Sequence, residues 1–309
     1  MPFLPTGIIF SLCELLNILN PDRTRALLPR FQSLLHVFNG ELERTEGSQL
    51  QRNSLLAKGR VKLSARLAFK LLRPKKQSTK GIRSKVLLQS LDQHDQDDVR
   101  ESSSEDDIDV PQEVEQYVGD LIDSLAHQDT SVRYSAAKGI ARVCTRLPSA
   151  FVRQITEAIV SLFPLDVIQH PDGSLDLSTA SEFTWQGACF ALAELARRGL
   201  LAPSQGTAAQ YELDEQLSWV QRALFFDPRR GAHSVGAGVR DAACYVIWAL
   251  ARANEEASIS AHAASIATNL VRVACTDREV SIRRAASAAF QECAGRMVSI
   301  VEDRVSGFC

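Results

Sequence analysis

The sequence predicts an all-α fold, a HEAT/armadillo-type α-solenoid with a disordered acidic linker. Apolar residues recur at steps of three and four through most of the chain, and four segments share one signature at near-repeat spacing. No stretch shows the sustained alternation of a half-buried strand. Composition agrees, because 45% hydrophobic residues with only 6% aromatics suit Ala- and Leu-rich helices better than a β-sandwich.

The opening run from Phe3 to Leu19 is apolar but contains Pro5 and Glu14, has no basic start, and is followed by no small-residue cleavage site. It is therefore not read as a targeting signal, and it is too short and interrupted to span a bilayer. Leu27, Leu28, Phe31, Leu34, Leu35 and Phe38 then form one helical stripe after Asn20-Pro21, with a stop expected at Asn39-Gly40. Leu56, Leu63, Leu67 and Leu71 signal a second helix that must end near Arg73, because Pro74 cannot continue it.

Charge divides the chain. From Gly47 to Leu91 there are twelve Lys or Arg and no acid, whereas Asp92 to Asp123 holds thirteen acids and a single base, Arg100. The second run has little to bury, so residues 92–111 read as a disordered acidic linker. The expected organisation is N-terminal helical hairpins with a basic segment over 1–91, the linker over 92–111, and HEAT-like repeats over 112–309.

Beyond Pro111 the amphipathic segments follow in pairs: Val114 to Leu125, Val132 to Val143, Phe151 to Leu162, Trp185 to Leu195, Leu213 to Leu224, Val239 to Leu250, Ile259 to Val273 and Ile282 to Cys293. Four of them carry the signature: Val132-Arg-Tyr-Ser-Ala-Ala137, Thr184-Trp-Gln-Gly-Ala-Cys189, Val239-Arg-Asp-Ala-Ala-Cys244 and Ile282-Arg-Arg-Ala-Ala-Ser287. The equivalent residues Arg133, Trp185, Arg240 and Arg283 are 52, 55 and 43 apart, close to the about 40–47 of HEAT and armadillo repeats once loop insertions are allowed. Paired small residues such as Ala136-Ala137 and Ala243-Cys244 permit close helix approach. Asp129 and Asp277, ahead of the Arg, can cap their helices and accept from a neighbouring repeat's Arg, so these four positions read as inter-repeat structure. Trp185 and Trp248 read as core, Trp219 as half exposed.

No catalytic constellation emerges. The six histidines are dispersed without metal-ligand spacing, so no metal or other cofactor is expected. Gly231-Ala-His-Ser-Val-Gly236-Ala-Gly238 has the glycine spacing of a phosphate loop but places Ala237 and Gly238 where Lys and Ser or Thr must act. It reads instead as an inter-helix loop whose Arg229, Arg230 and His233 suit partner contact. A net charge of −2 argues against nucleic acid, and the basic run lacks interleaved aromatics except Phe69. An acidic protein surface is the better partner for it, with Lys75 and Lys76 as candidate contacts. Seven scattered cysteines read as reduced core thiols, which with the lack of a membrane span gives a cytoplasmic expectation.

Several stretches carry a family resemblance: Val61-Lys-Leu-Ser-Ala-Arg-Leu67, Glu105-Asp-Asp-Ile-Asp-Val-Pro-Gln-Glu-Val-Glu115, Asp129-Thr-Ser-Val-Arg-Tyr-Ser-Ala-Ala-Lys-Gly-Ile140, Ala191-Leu-Ala-Glu-Leu-Ala-Arg-Arg-Gly-Leu-Leu201, Arg230-Gly-Ala-His-Ser-Val-Gly236 and Arg283-Arg-Ala-Ala-Ser-Ala-Ala-Phe-Gln-Glu292. In content and order the chain resembles the tubulin-specific chaperone D (tubulin-folding cofactor D) family from about residue 20 to 296, as an internal fragment or truncated product. The resemblance implies a non-enzymatic, microtubule-associated chaperone that binds β-tubulin after chaperonin release and helps assemble the αβ heterodimer. It further implies other tubulin-folding cofactors and a small Arf-like GTPase as partners, and stimulation of GTP hydrolysis only through the assembled complex. No catalytic residue comes with it. An armadillo or HEAT scaffold, or a nuclear-transport adaptor binding another protein, is the alternative that composition and repeats equally allow.

Overall fold

Among the described residues of the computed structural model, 3–46, 54–74, 110–201, 207–253 and 260–296, the chain forms eleven α-helices and two small hairpins. The helices are α1 (Phe3–Ile18), α2 (Pro21–Glu46), α3 (Ser54–Leu71), α4 (Gln112–Asp123), α5 (Thr130–Cys144), α6 (Ser149–Val160), α7 (Glu182–Ala196), α8 (Thr207–Ala223), α9 (Ala237–Ala253), α10 (Ala263–Thr276) and α11 (Val280–Arg296). Lys75, Lys76, the linker up to residue 109, and residues 297–309 lie outside the described residues.

Local chemistry sets the helix starts. Asn20 Oδ1 accepts from the Arg23 amide at 2.9 Å ahead of α2, and Asp129 Oδ1 accepts from the Ser131 amide at 2.7 Å ahead of α5. Ser181 caps α7, and Asp277 Oδ1 accepts from the Glu279 amide at 2.8 Å just before α11. Hydrogen bonds from Ser54 and Ser131 hold the Asp129 carboxyl below the usual carboxylate range.

Odd-numbered helices form one layer, α1 on α3, α3 on α5, α5 on α7, α7 on α9 and α9 on α11. Even-numbered helices back it: α2 and α4 pack on α3, α6 on α7, α8 on α9 and α10 on α11. One apolar core runs through the whole stack from Ile9 to Cys293, as expected of repeats that bury their faces only against neighbours. The layer is tight where the signature has small residues. A Cβ on Gly187 would sit 2.0 Å from the Leu125 carbonyl oxygen, so α7 can press on the turn after α4 only with glycine there. Trp185 is fully buried, 4.8 Å from the Phe226 ring and 5.2 Å from that of Phe163.

Two expectations require correction. Helix α2 does not stop at Asn39-Gly40 but continues to Glu46. Phe38 is buried and Leu42 packs on the core, and that apolar stripe outweighs the roughly 1 kcal/mol by which Gly is inferior to Ala in a helix. Strands are also present. Ile168–Gln169 pairs with Leu175–Asp176 (β1, β2) between α6 and α7, and Arg229–Arg230 pairs with His233–Ser234 (β3, β4) between α8 and α9. Each strand is two residues long, too short to show alternation; the turns use Gly173 and Gly231 at positive φ. These hairpins are the insertions behind the 52- and 55-residue spacings, whereas Asp277 to Glu279 alone links α10 to α11 and leaves 43.

Candidate functional site

The signature residues form a polar ladder along one edge of the odd layer. Arg133 Nη1 donates to the His127 carbonyl at 2.5 Å, Arg240 Nη1 to the Phe226 carbonyl at 3.0 Å, and Arg283 Nη1 to the Asp277 carbonyl at 2.7 Å. Each arginine thereby ties its helix to the segment that leads into it. The second copy has Trp185 at this position, and its neighbour Gln186 makes the links instead: it accepts from Arg133 and donates to the Gly238 carbonyl at 3.0 Å. Arg240 reaches forward to Asp277, in the link between α10 and α11. The ladder aligns the N-terminal ends of α5, α7, α9 and α11 on one edge.

A groove lies across four of the odd-numbered helices. It encloses about 610 Å³ and is lined by Thr130, Ser131 and Tyr134 of α5, Phe190 of α7, Asp241, Cys244, Tyr245 and Trp248 of α9, and Ala285 and Ala288 of α11. Tyr134 and Phe190 meet edge to face at 5.3 Å, and Tyr245 stacks on Trp248 at 6.0 Å. Trp248 is half-buried: it packs against the core, as its helical spacing predicts, and its other side lines this groove.

A charge network closes the far edge of the groove. The Glu194 carboxylate is sealed from solvent, yet accepts from Arg198 at 2.7 Å, Tyr245 Oη at 2.9 Å and Arg197 at 3.2 Å. Burial by itself would raise its pKa, but the hydrogen bonds from Arg198 and Tyr245 outweigh burial and hold it below the usual range. Burial drives the Tyr245 hydroxyl upward, so it stays a donor. Asp241, inside the lining, is shifted up by desolvation.

Cations on α5 and α9, and Arg146 just beyond α5, lie over aromatic rings, two of them in the groove lining. Lys138 lies 4.5 Å over the Tyr134 ring, Arg252 4.8 Å over Trp248, and Arg142 and Arg146 both lie over Phe69. Between residues 130 and 144, helix α5 carries Arg133, Lys138 and Arg142 and no acid. By contrast, the described part of the basic run is engaged within the fold. Arg66 bonds the Cys13 carbonyl and Glu14, Lys70 donates to the Leu19 carbonyl at 2.7 Å beyond the end of α1, and Arg60 donates to Ser124 at 3.1 Å.

The hairpin residues do not join the groove. Arg229, Arg230 and His233 are exposed on β3 and β4, and Arg230 donates to the Ala180 carbonyl at 3.0 Å, bracing the hairpin against the segment before α7. Among the described residues no cluster of three His, Cys, Asp or Glu is placed to hold a metal ion, and no helix is long and apolar enough to cross a membrane. Five of the six described cysteines are buried, and desolvation pushes the thiols of Cys144, Cys244 and Cys293 up to about 12.

Comparison with known proteins places this arrangement. The family model for tubulin-specific chaperone D-like ARM repeats matches residues 55–302. Tubulin-specific chaperone D of Dictyostelium discoideum is 40% identical over 182 residues, 59% of this chain and 11% of its own length. Tubulin-folding cofactor D of Schizosaccharomyces pombe is 31% identical over 181 residues, 58% of this chain and 16% of its own. The chain therefore spans a small fraction of the relatives it matches. A designed armadillo repeat protein aligns over 93% of this chain and 92% of its own at a TM-score of 0.39 and 14% identity, a likeness too distant to argue from.

Proposed function

The chain belongs to the tubulin-specific chaperone D-like ARM-repeat family, and from that premise we propose that it is a tubulin-folding segment that binds β-tubulin and helps bring it into the αβ heterodimer. The observation that carries this reading is the family match across residues 55–302, which takes in α3 to α11 and with them the ladder, the groove and both hairpins. In this reading the protein acts in the cytoplasm near microtubules, alongside other tubulin-folding cofactors and an Arf-like GTPase. Its effect on GTP hydrolysis is indirect, through the assembled complex. A repeat stack suits such work because it offers one extended surface built of similar, independently variable units.

The surface contacts in this proposal are the exposed hairpin with Arg229, Arg230 and His233, and the segment at Lys75 and Lys76. Recovery from cytosol on the immobilised chain tests the reading. Tubulin and an Arf-like GTPase are expected in the bound fraction; import cargo and Ran without tubulin would replace this reading with a transport adaptor.

A further inference from the structure

We propose that the groove between α5 and α9 takes one large apolar side chain from an extended acidic segment of a partner protein, whose carboxylates lie along Lys138 and Arg142. The apolar half of the argument is the lining. Tyr134, Phe190, Tyr245 and Trp248 present ring surface around about 610 Å³, and Ala285 and Ala288 leave the α11 side open. Such a pocket accepts a Phe- or Leu-sized group, whose removal from water favours binding.

The polar half is charge imbalance along the C-terminal edge. Lys138 and Arg142 have no acidic partner among the described residues; Lys138 lies over Tyr134 of the lining, and Arg142, one turn further along α5, lies over Phe69 of α3. Burial, then the nearby charges of Arg66 and Arg198, make the cationic form of Arg142 less favourable than usual, so an incoming carboxylate relieves repulsion as well as gaining attraction. Glu194, the buried acid at this edge, is already saturated by Arg197, Arg198 and Tyr245. Asp241 is the single acid of the lining and precedes Tyr245 by one helical turn, on the side away from the cations. It repels carboxylates from that end and so sets the direction of the occupant: apolar anchor in the pocket, acids toward the C-terminal edge.

The inference rests on the chain being a protein-binding module, not on the partner being tubulin. It is tested with the full chain and a fluorescein-labelled synthetic peptide of glutamates around one Phe, followed by anisotropy at low salt. Saturable binding is expected, weakened at least about tenfold by replacing the peptide's Phe with Ala, by Lys138→Glu, and by Ala288→Leu, which fills the mouth of the groove. Lys138 and Ala288 are both exposed, so circular dichroism should show both variants folded. Lack of binding at millimolar peptide, binding unaffected by Lys138→Glu, or preference for a lysine-rich peptide would overturn the proposal. Sedimentation showing a dimer broken by Ala288→Leu would assign the groove to a second copy instead, and also overturn it. Peptide binding without tubulin recovery would remove the tubulin reading while leaving the groove intact.

Discussion

Arg240 of α9 and Asp277, in the link between α10 and α11, form an ion pair in which both side chains are more than nine-tenths sealed from solvent, with Nε 2.7 Å from Oδ2 and Nη2 3.3 Å from Oδ1. The same guanidinium also holds the Phe226 carbonyl and Asp227, so one residue joins the β3 hairpin, α9 and the last repeat. Removing Asp277 leaves the buried Arg240 guanidinium with the half-exposed Asp227 as carboxylate partner. Asp277→Ala is expected to cost about 1.5–3 kcal/mol in urea denaturation at neutral pH, the range of a hydrogen bond to a charged group. A loss under about 1 kcal/mol would mean that the pair carries little of the stacking.

Gly187 and Gly119 give opposite responses to the same change. At Gly187 an added Cβ meets the Leu125 backbone at 2.0 Å, so Gly187→Ala should push α7 off the preceding turn and cost about 1–3 kcal/mol. At Gly119, in α4, nothing lies within 4 Å, and Gly119→Ala should stabilise by about 0.4–1 kcal/mol. Thermal melts of the two variants side by side check both signs.

Acid sensitivity should trace to Glu194 and Asp277. Burial opposes ionisation of each, but hydrogen bonds from Arg198 and Tyr245, and from Arg240, prevail and hold both carboxyls below their ordinary values. The unfolded chain therefore takes up protons first as pH falls. The stability these groups contribute is fully present above about pH 4 to 5 and is lost as pH drops through their depressed folded-state values. Asp120 and Asp241, raised by burial, act in the opposite sense, so the assignment needs single variants. Glu194→Gln should flatten the acid limb of the stability profile; an unchanged limb would contradict the assignment.

Thiol labelling should separate the cysteines. Cys275 is exposed, whereas Cys13, Cys144, Cys189, Cys244 and Cys293 are buried with thiols driven further from ionisation by desolvation. Mass mapping after a brief pulse of a thiol reagent is expected to find Cys275 modified and these five protected until denaturant is added.

Much of the stack was legible because its elements are long and periodic. The signature helices show their register through Arg133, Arg240 and Arg283, and the cap at Asp129 announces where α5 starts, whereas Asp277 ends α10 and accepts from the Glu279 amide just ahead of α11. The groove was not legible. Its lining comes from residues on four helices that meet only in the packed stack, and Tyr134, Phe190 and Tyr245 carry no motif of their own. Trp248 packs on the core as its spacing predicts, but periodicity does not say that Ala285 and Ala288 on α11 leave room for its other side to line the groove. Glu194 gave no signal because an acid at the end of a helix reads as solvated until Arg198 and Tyr245 are seen to close over it. The hairpins escaped because their strands are too short for alternation to show.

The account turns on this repeat stack gripping tubulin, and the most direct measurement is size-exclusion chromatography of the purified chain with chaperonin-released β-tubulin across a salt series. Co-elution at low ionic strength that weakens as salt screens exposed charge beyond about 8–10 Å is the expected result. Separate elution at every salt concentration, from a chain shown by circular dichroism to be fully helical, would contradict it.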